Sequence, residues 1–477
     1  MDDPEYIPDS TSEQSIDYSN TDDDDDTEPD ENIEPLTEDD IAEITIVVYE
    51  ELEEYMKNNI LSLASPKFYK DMTEYVTEIV FDIFIDAQAF DTEYEDNEDY
   101  DEVTEFVEQV ADVFLHFYEI PIRSVTYTLD SADKQFSAED IAIIQYKINA
   151  LQNIPQSKQK TKEWYEHRYN LITASNLWKA LGSESNQNSL IYEKCKPLDY
   201  SQSAMGSCNT ESAMHWGIKY EPVTVQIYEL MFQTKIGDFG CITHPIYPYI
   251  GASPDGINID PANSRFGRML EIKNIVNREI TGIPKEEYWV QTQIQMDTCG
   301  LDECDFVETR FEEYQNETSF YEDTAREHRG IILYFIERTN SYMPSRVLDN
   351  SPKYRYMPSH IPIEITAICH WINQEKEEGK AKGLVLFSTI YWYLDEISCV
   401  LIPRNREWFR AAVPKIDAVW QTILKERVDG YEHRASKKRI AKINVTSDDA
   451  SNSYMIQNMP VMNSFCLIRF DEMGNVI

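Results

Sequence analysis

The chain has 477 residues and a formal net charge of −45, which is very unevenly distributed. Residues 1–120 hold 40 aspartates and glutamates against three lysines and no arginine, whereas the other residues hold 47 acidic and 39 basic side chains. The near-balanced remainder therefore does not exclude a nucleic-acid partner, although the total charge alone would. The eight cysteines form no Cys-x-x-Cys pair, and no apolar run approaches the roughly 20 residues that span a bilayer. With no secretion-signal pattern at the N-terminus, we expect an intracellular protein that is not secreted.

Four segments are predicted along the chain. Residues 1–37 are acidic and polar, and we expect a disordered tail because so little apolar surface cannot offset the entropy of ordering. Residues 38–130 place apolar side chains at helical spacing, which predicts an acidic helical domain. Residues 137–428 form the third segment, and residues 429–477 hold a basic patch followed by a polar tail.

The third segment mixes the patterns of strands and helices. Strand-like runs such as "RMLEIKNIV", "DFVETRF" and "GIILYFIER" alternate with helix-like runs such as "PKEEYWVQTQIQMDTC". This alternation is typical of an α/β (α+β) domain with a central mixed sheet flanked by helices. Helical spacing is also expected from 137 to 152 and around Trp164 to Arg168.

Candidate chemistry lies in "GASPDGINIDPANSRFGRMLEIKN", residues 251–274. Asp255 occupies a Ser-Pro-Asp-Gly turn, and Glu271 and Lys273 share one face of a predicted strand because alternate side chains do so. If the flanking strands pair as a hairpin, Asp255 and Glu271 meet across it. Two carboxylates and the free carbonyl of Ile272 suit Mg²⁺ or Mn²⁺, and a neighbouring ammonium can orient a water. The group predicts metal-assisted attack of water on a phosphodiester.

Three other motifs support this interpretation. "MHWGIKYEPVTVQIYELM" is helical in period and carries Glu221, while Pro222 must either kink this helix or lie in its first turn. "PKEEYWVQTQIQMDTCG" predicts a helix bounded by Pro284 and Gly300, with Gln291 and Gln295 on one face. "RYNLITAS" offers hydrogen-bond donors suited to a phosphate: Arg168, Thr173 and Ser175.

The motifs "RYNLITAS", "GIKYE", "SPDG", "EIK" and "YWVQTQIQM" occur in the order and with the character of a known family. The chain resembles the YqaJ-type viral recombinases, which are relatives of phage lambda exonuclease in the PD-(D/E)xK nuclease superfamily. The sequences of its motifs are similar to those of the versions carried by large DNA viruses. The resemblance covers roughly residues 150–425 and implies a restriction-endonuclease-like core. It also implies a hairpin loop, "NIDPANSRFG", longer than that of the compact phage enzymes.

The resemblance assigns roles to individual residues. It implies that the metal ligands are Asp255, Glu271, the carbonyl of Ile272 and the helix-borne Glu221. It makes Lys273 the catalytic lysine and Gln291 the glutamine that positions the lysine or the water, so that the catalytic set is Glu221, Asp255, Glu271, Lys273 and Gln291. The positions that resemble those holding a 5′-terminal phosphate are Arg168, Thr173, Ser175 and Ser253.

The implied function is a DNA exonuclease that uses Mg²⁺ or Mn²⁺ and works from duplex ends, 5′ to 3′, in viral recombination and repair. Such an enzyme exposes a 3′ single strand for an annealing protein, acts in the host cytoplasm or at a viral replication site, and has ring-forming relatives that make a homo-oligomer expected. Two alternatives stay open: a PD-(D/E)xK endonuclease or resolvase-like nuclease, and a non-catalytic DNA-binding scaffold. The acidic region is either a solubilising arm or a surface for a basic partner, and the basic patch either binds phosphate or is a solvated tail.

Overall fold

The computed structural model describes residues 37–86, 98–118, 120–124, 135–157, 161–198, 210, 212–337 and 352–435. The predicted disordered tail, apart from residue 37, and the basic segment from residue 436 lie outside these ranges. Within the described part, no helix is long and apolar enough to cross a membrane.

The N-terminal part consists of α1 (Glu38–Asn58), a 3₁₀ helix (Ile60–Ala64), α2 (Phe68–Asp86) and α3 (Glu98–Phe117). Thr37 caps α1 in a capping box with Asp40, which satisfies backbone donors that the first turn leaves unpaired. The buried side chains of α1 are Val48, Leu52 and Met56, four residues apart. The three helices expected from the apolar spacing are therefore present.

These helices share one hydrophobic cluster with the α/β part of the chain. Leu63 and Ala64 of the 3₁₀ helix belong to the same cluster as Trp408. The indole of Trp408 donates to the Leu61 carbonyl at 3.4 Å, and the buried guanidinium of Arg123 donates to the Pro284 carbonyl at 2.8 Å. The N-terminal helices thus contribute to a common core, while the proposed division of the chain into domains stays a prediction.

Between α3 and residue 236, the described residues form five further helices: α4 (Ala138–Asn153), α5 (Lys162–Tyr169), α6 (Ala174–Leu181), α7 (Glu184–Cys195) and α8 (Ala213–Phe232). The two helices expected around 137–152 and Trp164–Arg168 correspond to α4 and α5. Pro222 is the tenth residue of α8 and lies inside the helix, not in its first turn. Because proline has no N–H, the carbonyl of Ile218 receives no hydrogen bond from it.

The strands form two sheets among the described residues. The smaller has the order β1 (Ile172–Thr173), β4 (Ile250–Ala252), β3 (Ile242–Thr243), with β1 and β4 parallel. The larger has the order β2-β5-β6-β7-β10-β8-β9, in which β6 and β7 are parallel and the other pairs antiparallel. Its strands are β2 (Ile236–Gly237), β5 (Gly256–Asn258), β6 (Met269–Asn274), β7 (Glu303–Glu313), β8 (Arg329–Glu337), β9 (Lys353–Tyr356) and β10 (Leu384–Pro403).

The remaining helices are α9 (Glu286–Cys299), α10 (Glu317–Glu322), α11 (Ile365–Ala381), α12 (Arg406–Asp429) and a short 3₁₀ helix (Glu432–Arg434). Helix α9 joins the parallel strands β6 and β7, so these three elements form a βαβ crossover. Gly300 ends α9 with a φ of 67°, a conformation that favours glycine. The predicted α+β architecture, a mixed sheet flanked by helices, is confirmed.

Candidate active site

A hairpin lies between the two candidate carboxylates, but the strands that flank the Ser-Pro-Asp-Gly turn do not form it, because β4 and β5 lie in different sheets. Strands β5 and β6 pair antiparallel, with Gly256 opposite Leu270. The Asp255 N–H donates to the Leu270 carbonyl at 3.2 Å, and Asp255 Oδ2 accepts from the N–H of Ile272 at 2.7 Å. The turn therefore holds Asp255 against the backbone of β6 beside Glu271. Because the N–H and C=O of a strand residue point to the same edge, the Ile272 carbonyl faces this side as well.

The connection between β5 and β6, residues 259–268, is the long hairpin loop implied by the sequence. Asp305, buried on β7, forms ion pairs with Arg265 and Arg268 of this loop, and Arg268 is only 2% exposed. The Asn263 side chain also donates to the carbonyl of Phe232 at the end of α8, at 2.8 Å. These contacts fix a long loop at the start of β6 and so preserve the register of the hairpin.

Glu271 lies at the centre of the site and is 1% exposed. Its Oε1 accepts from Gln291 Nε2 at 2.7 Å and pairs with the ammonium of Lys273. Its Oε2 accepts from Gln295 Nε2, also at 2.7 Å. Two glutamines one turn apart on α9 therefore hold both oxygens of one carboxylate, as the i, i+4 spacing of a helix permits.

Lys273 is held as an ammonium between its neighbours. Its Nζ contacts Glu271 and, at 3.4 Å, Oε1 of Gln291, and it lies 4.7 Å from the centre of the Tyr288 ring. Burial lowers the pKa of Lys273, but the charges of Glu271 and Asp255 outweigh burial, so the pKa is raised. A protonated lysine cannot accept a proton from water, so its contribution is a positive charge and a set of donors.

Three carboxylates with a single lysine leave this site with excess negative charge. Burial, followed by the charges of Glu271 and Glu221, raises the pKa of Asp255 well above its ordinary value. Glu221 on α8 is exposed to solvent, yet desolvation and, after it, the charge of Glu271 raise its pKa too. Raised pKa values of this kind, caused first by burial and then by neighbouring like charges, are typical of functional sites.

The described residues contain no group of three or more His, Cys, Asp or Glu side chains placed as a ready-made metal cage. Mg²⁺ rarely needs one, because it usually binds through one or two carboxylates and keeps several waters. Asp255, Glu271 and the Ile272 carbonyl are hard oxygen donors, and the mutual repulsion of the carboxylates is relieved by a divalent cation. The donor set therefore fits Mg²⁺ or Mn²⁺ by charge and chemistry.

The candidate phosphate-binding residues approach the hairpin through the small sheet. Thr173 on β1 is in register with Gly251 on β4, two residues before Ser253. The hydroxyls of Thr173 and of the exposed Ser175, in the first turn of α6, lie 3.2 Å apart. These three residues are thus brought close to the turn that carries Asp255. In the contacts of the described residues, the Arg168 guanidinium stacks on Trp164 at 4.6 Å, not on these hydroxyls.

Two charged residues near the site were missed by the motif analysis. Glu308 on β7 is in register with Lys273 and only 1% exposed, and it pairs with Arg278. Burial raises the pKa of Glu308, and Arg278 opposes this shift. The sequence feature that could have indicated a buried charge here is the position of this glutamate inside the apolar run "DFVETRF".

Arg434, a member of the predicted basic patch, is engaged within the fold. Its guanidinium pairs with Glu426 on α12 and contacts Asn188 on α7. It therefore ties the end of α12 to α7. The other members of the patch lie outside the described residues: Lys437, Lys438, Arg439 and Lys442.

Comparisons with known proteins place a family domain over this site. A curated relative, an uncharacterized protein of Acanthamoeba polyphaga mimivirus, is 27% identical over 310 residues, which cover 58% of this chain and 54% of that protein. This chain thus spans about half the length of that relative. An alkaline exonuclease of Laribacter hongkongensis matches at 19% identity and a TM-score of 0.31, covering 56% of this chain and 94% of that one.

A phage-related exonuclease of Haemophilus somnus matches at 12% identity and a TM-score of 0.28, covering 54% of this chain and 94% of that one. The family model described as the YqaJ-like viral recombinase domain matches residues 163–302. This range contains α5, the small sheet, α8, the hairpin and α9, and so every motif on which the resemblance rested. The predicted resemblance to this family is therefore confirmed over residues 163–302.

Proposed function

We propose that this chain is a divalent-metal-dependent deoxyribonuclease that hydrolyses duplex DNA from its ends in the 5′ to 3′ direction. The observation that carries the proposal is the convergence of Asp255, Glu271 and Lys273 at the end of the β5–β6 hairpin, with Gln291 bonded to the same carboxylate. The match of this region to a viral recombinase domain agrees with it.

Each residue of the site has a separate role in the proposed hydrolysis. A bound divalent cation would be held by Asp255, Glu271 and the carbonyl of Ile272, and would supply polarisation of the phosphoryl oxygen. The Lys273 ammonium holds the attacking water by hydrogen bonding and offsets charge as it gathers on the phosphate. Gln291 keeps Lys273 and Glu271 in one arrangement, since its amide contacts both.

A 5′-phosphate at the duplex end would bind next to this hairpin. Thr173 and Ser175 offer hydroxyl donors, and the start of α6 offers backbone N–H groups with the favourable end of the helix dipole. Ser253 lies two residues before Asp255, so a phosphate held here is near the scissile bond. Arg168 would turn from the Trp164 ring to the phosphate, since charge-assisted pairing is stronger than an exposed cation–π contact.

The proposal extends to the cellular role. Removal of one strand from the 5′ end leaves a 3′ single strand, the substrate of an annealing protein, so we propose such a protein as the partner. We also propose that the chain acts as a homo-oligomer in the recombination and repair of viral DNA. The amino-acid sequence similarity to a mimivirus protein supports a viral setting.

Nuclease assays test the proposal directly. The parent should degrade linear 5′-phosphorylated duplex in Mg²⁺ and leave covalently closed circles intact. Asp255→Asn and Lys273→Met should each lower the rate on the order of 100- to 1000-fold, because each removes a charge from the reacting centre. Lys196→Met, a change of an exposed lysine on the surface, is the matched control and should keep the parental rate.

The outcomes separate the alternatives. Cutting of closed circles would identify an endonuclease, and binding of DNA without cutting would identify a scaffold. Equal rates for the parent, Asp255→Asn and Lys273→Met would refute the assigned site. Faster degradation of 5′-phosphorylated than of 5′-hydroxyl ends, with the difference lost in Ser175→Ala, is expected if Thr173 and Ser175 hold the end phosphate.

A further inference from the structure

Gln295 is a fully buried polar side chain that the proposed mechanism does not use. Its Nε2 donates to Oε2 of Glu271 at 2.7 Å and to the carbonyl of Ser253 at 3.3 Å. One amide nitrogen therefore links β6 to the turn that carries Asp255. Since both segments supply the proposed metal ligands, the position of Gln295 bears on how these ligands face each other.

The other end of the same amide has no partner. Gln295 Oε1 is buried and accepts no hydrogen bond from the described residues. Rotating the amide by 180° would not help, because the oxygen would then face two acceptors, Glu271 Oε2 and the Ser253 carbonyl. The orientation is thus fixed by chemistry, and a buried acceptor without a donor costs about 1–3 kcal/mol.

The position of Gln295 Oε1 near Glu271 indicates what kind of hydrogen-bond donor could reach it. The nitrogen and oxygen of one amide are about 2.3 Å apart, so Oε1 lies no more than about 5 Å from Glu271 Oε2. A hydrated cation held by Glu271 would bring water molecules within reach of Oε1, and a water bound to a divalent cation is a strong donor. The Glu271 carboxylate and Oε1 of Gln295 together could accept from such a water.

We infer that Gln295 is a positioning residue of the divalent-cation site: its nitrogen fixes Glu271 and the Ser253–Asp255 turn, and its oxygen accepts from a cation-bound water. This inference rests on the proposed function, because that function supplies the cation. Outer partners of this kind commonly govern metal affinity as strongly as they govern geometry.

Gln293, on the same helix, is the natural comparison. It is 1% exposed, and both ends of its amide are satisfied away from the site. Its Nε2 donates to the Pro403 carbonyl at 2.9 Å, and its Oε1 accepts from the Asn405 N–H at 2.7 Å. A purely structural role of buried glutamines would make changes at 293 and 295 equivalent for metal binding.

The test measures Mn²⁺ binding to the full chain by calorimetry, without DNA, for the parent, Gln295→Met and Gln293→Met. We expect Gln295→Met to raise the Mn²⁺ dissociation constant roughly 10- to 100-fold, the usual range for loss of an outer-shell partner, and Gln293→Met to stay within about threefold. Gln295→Asn, which keeps a polar group but withdraws the amide from Glu271, should weaken binding in the same direction and replaces Gln295→Met if that variant does not fold.

Asp255→Asn and Glu271→Gln separate failure of this inference from failure of the proposed function. If both lose Mn²⁺ while the Gln295 variants bind it within about threefold of the parent, the inference is overturned and the metal site stands. If every variant binds Mn²⁺ as tightly as the parent, the proposed metal site fails, and the inference fails with it. The same conclusion follows if the parent itself does not bind Mn²⁺. Equal weakening by Gln293→Met and Gln295→Met would also overturn the inference, because it would trace the effect to packing of α9.

Discussion

Lys194 allows a quantitative test of how the fold treats a buried charge. The side chain is 7% exposed, and its ammonium donates to the carbonyl of Arg168 at 3.0 Å, beneath the candidate phosphate site. Burial lowers the pKa of Lys194 to about 8; Glu193 opposes this shift, and Arg168 and Arg427 add to it. The change Lys194→Met removes the charge and keeps most of the apolar stem.

The sign of the pH dependence follows from the lowered pKa. An unfolded chain returns this lysine to its ordinary value of 10.5, so between pH 8 and 10.5 the unfolded state binds more protons. Stability therefore rises with pH through this window. The shift corresponds to about 3 kcal/mol of lost stability at pH 7, of which about 1 kcal/mol is regained at pH 9.

Denaturant unfolding at pH 7 and pH 9 measures this difference. Between the two pH values, the free energy of unfolding of the parent should rise by about 1 kcal/mol relative to that of Lys194→Met. Lys196→Met, which alters an exposed lysine two residues further on, should follow the parent at both pH values. Parallel pH profiles for the parent and Lys194→Met would refute the argument that Lys194 is desolvated in the folded state.

Three further predictions concern packing and charge. Gly217→Ala should raise the free energy of unfolding by about 0.5–1 kcal/mol, because its new Cβ meets nothing within 4 Å inside α8; a loss would contradict this. Gly330→Ala should lower it by about 1–3 kcal/mol, because the Cβ would lie 2.7 Å from the Trp392 ring; an unchanged denaturation midpoint would contradict this. Deletion of residues 1–120 should lower the thermal unfolding temperature, because the Trp408 cluster loses its cover; an unchanged temperature would show separate cores. Because that deletion also alters the core, screening of the proposed nuclease site by the acidic tail is tested separately, by deleting residues 1–36 and comparing the salt dependence of DNA affinity.

The parts of the site that were predictable are those set by local signals. The segment "NIDPANSRFG" was expected to be a hairpin loop, and β5 and β6 pair antiparallel across it. The strands that flank the Ser-Pro-Asp-Gly turn do not pair with each other, because β4 and β5 lie in different sheets. Helix α9 was bounded in advance by Pro284 and Gly300, and it runs from Glu286 to Cys299. Turns, caps and periodicity depend on neighbours in the chain, so the sequence carries them directly.

The parts that were not predictable depend on contacts between distant segments. Strand β10 inserts between β7 and β8, an order that no local pattern encodes. The sharing of one core between the 3₁₀ helix and Trp408 likewise joins residues some 350 positions apart. The position of Pro222 within its helix was also not predictable, because it depends on where α8 begins, and α8 begins at Ala213. The proximity of Glu308 to Lys273 depends on strand register, since it results from the pairing of β6 with β7.

The charge of the site explains how an acidic chain could act on a polyanion. Glu221, Asp255 and Glu271 outnumber Lys273, so without a cation the site repels a phosphate. Burial and, after it, the repulsion between the carboxylates raise the pKa values of Glu221 and Asp255. A divalent cation reverses the sign of this balance at the place where the phosphate must sit. The large acidic excess lies instead on residues 1–120, away from the hairpin in the chain. The proposed nuclease therefore needs no basic groove at its reacting centre. It needs carboxylates that are held in place, and the amides of Gln291 and Gln295 hold Glu271 in this way.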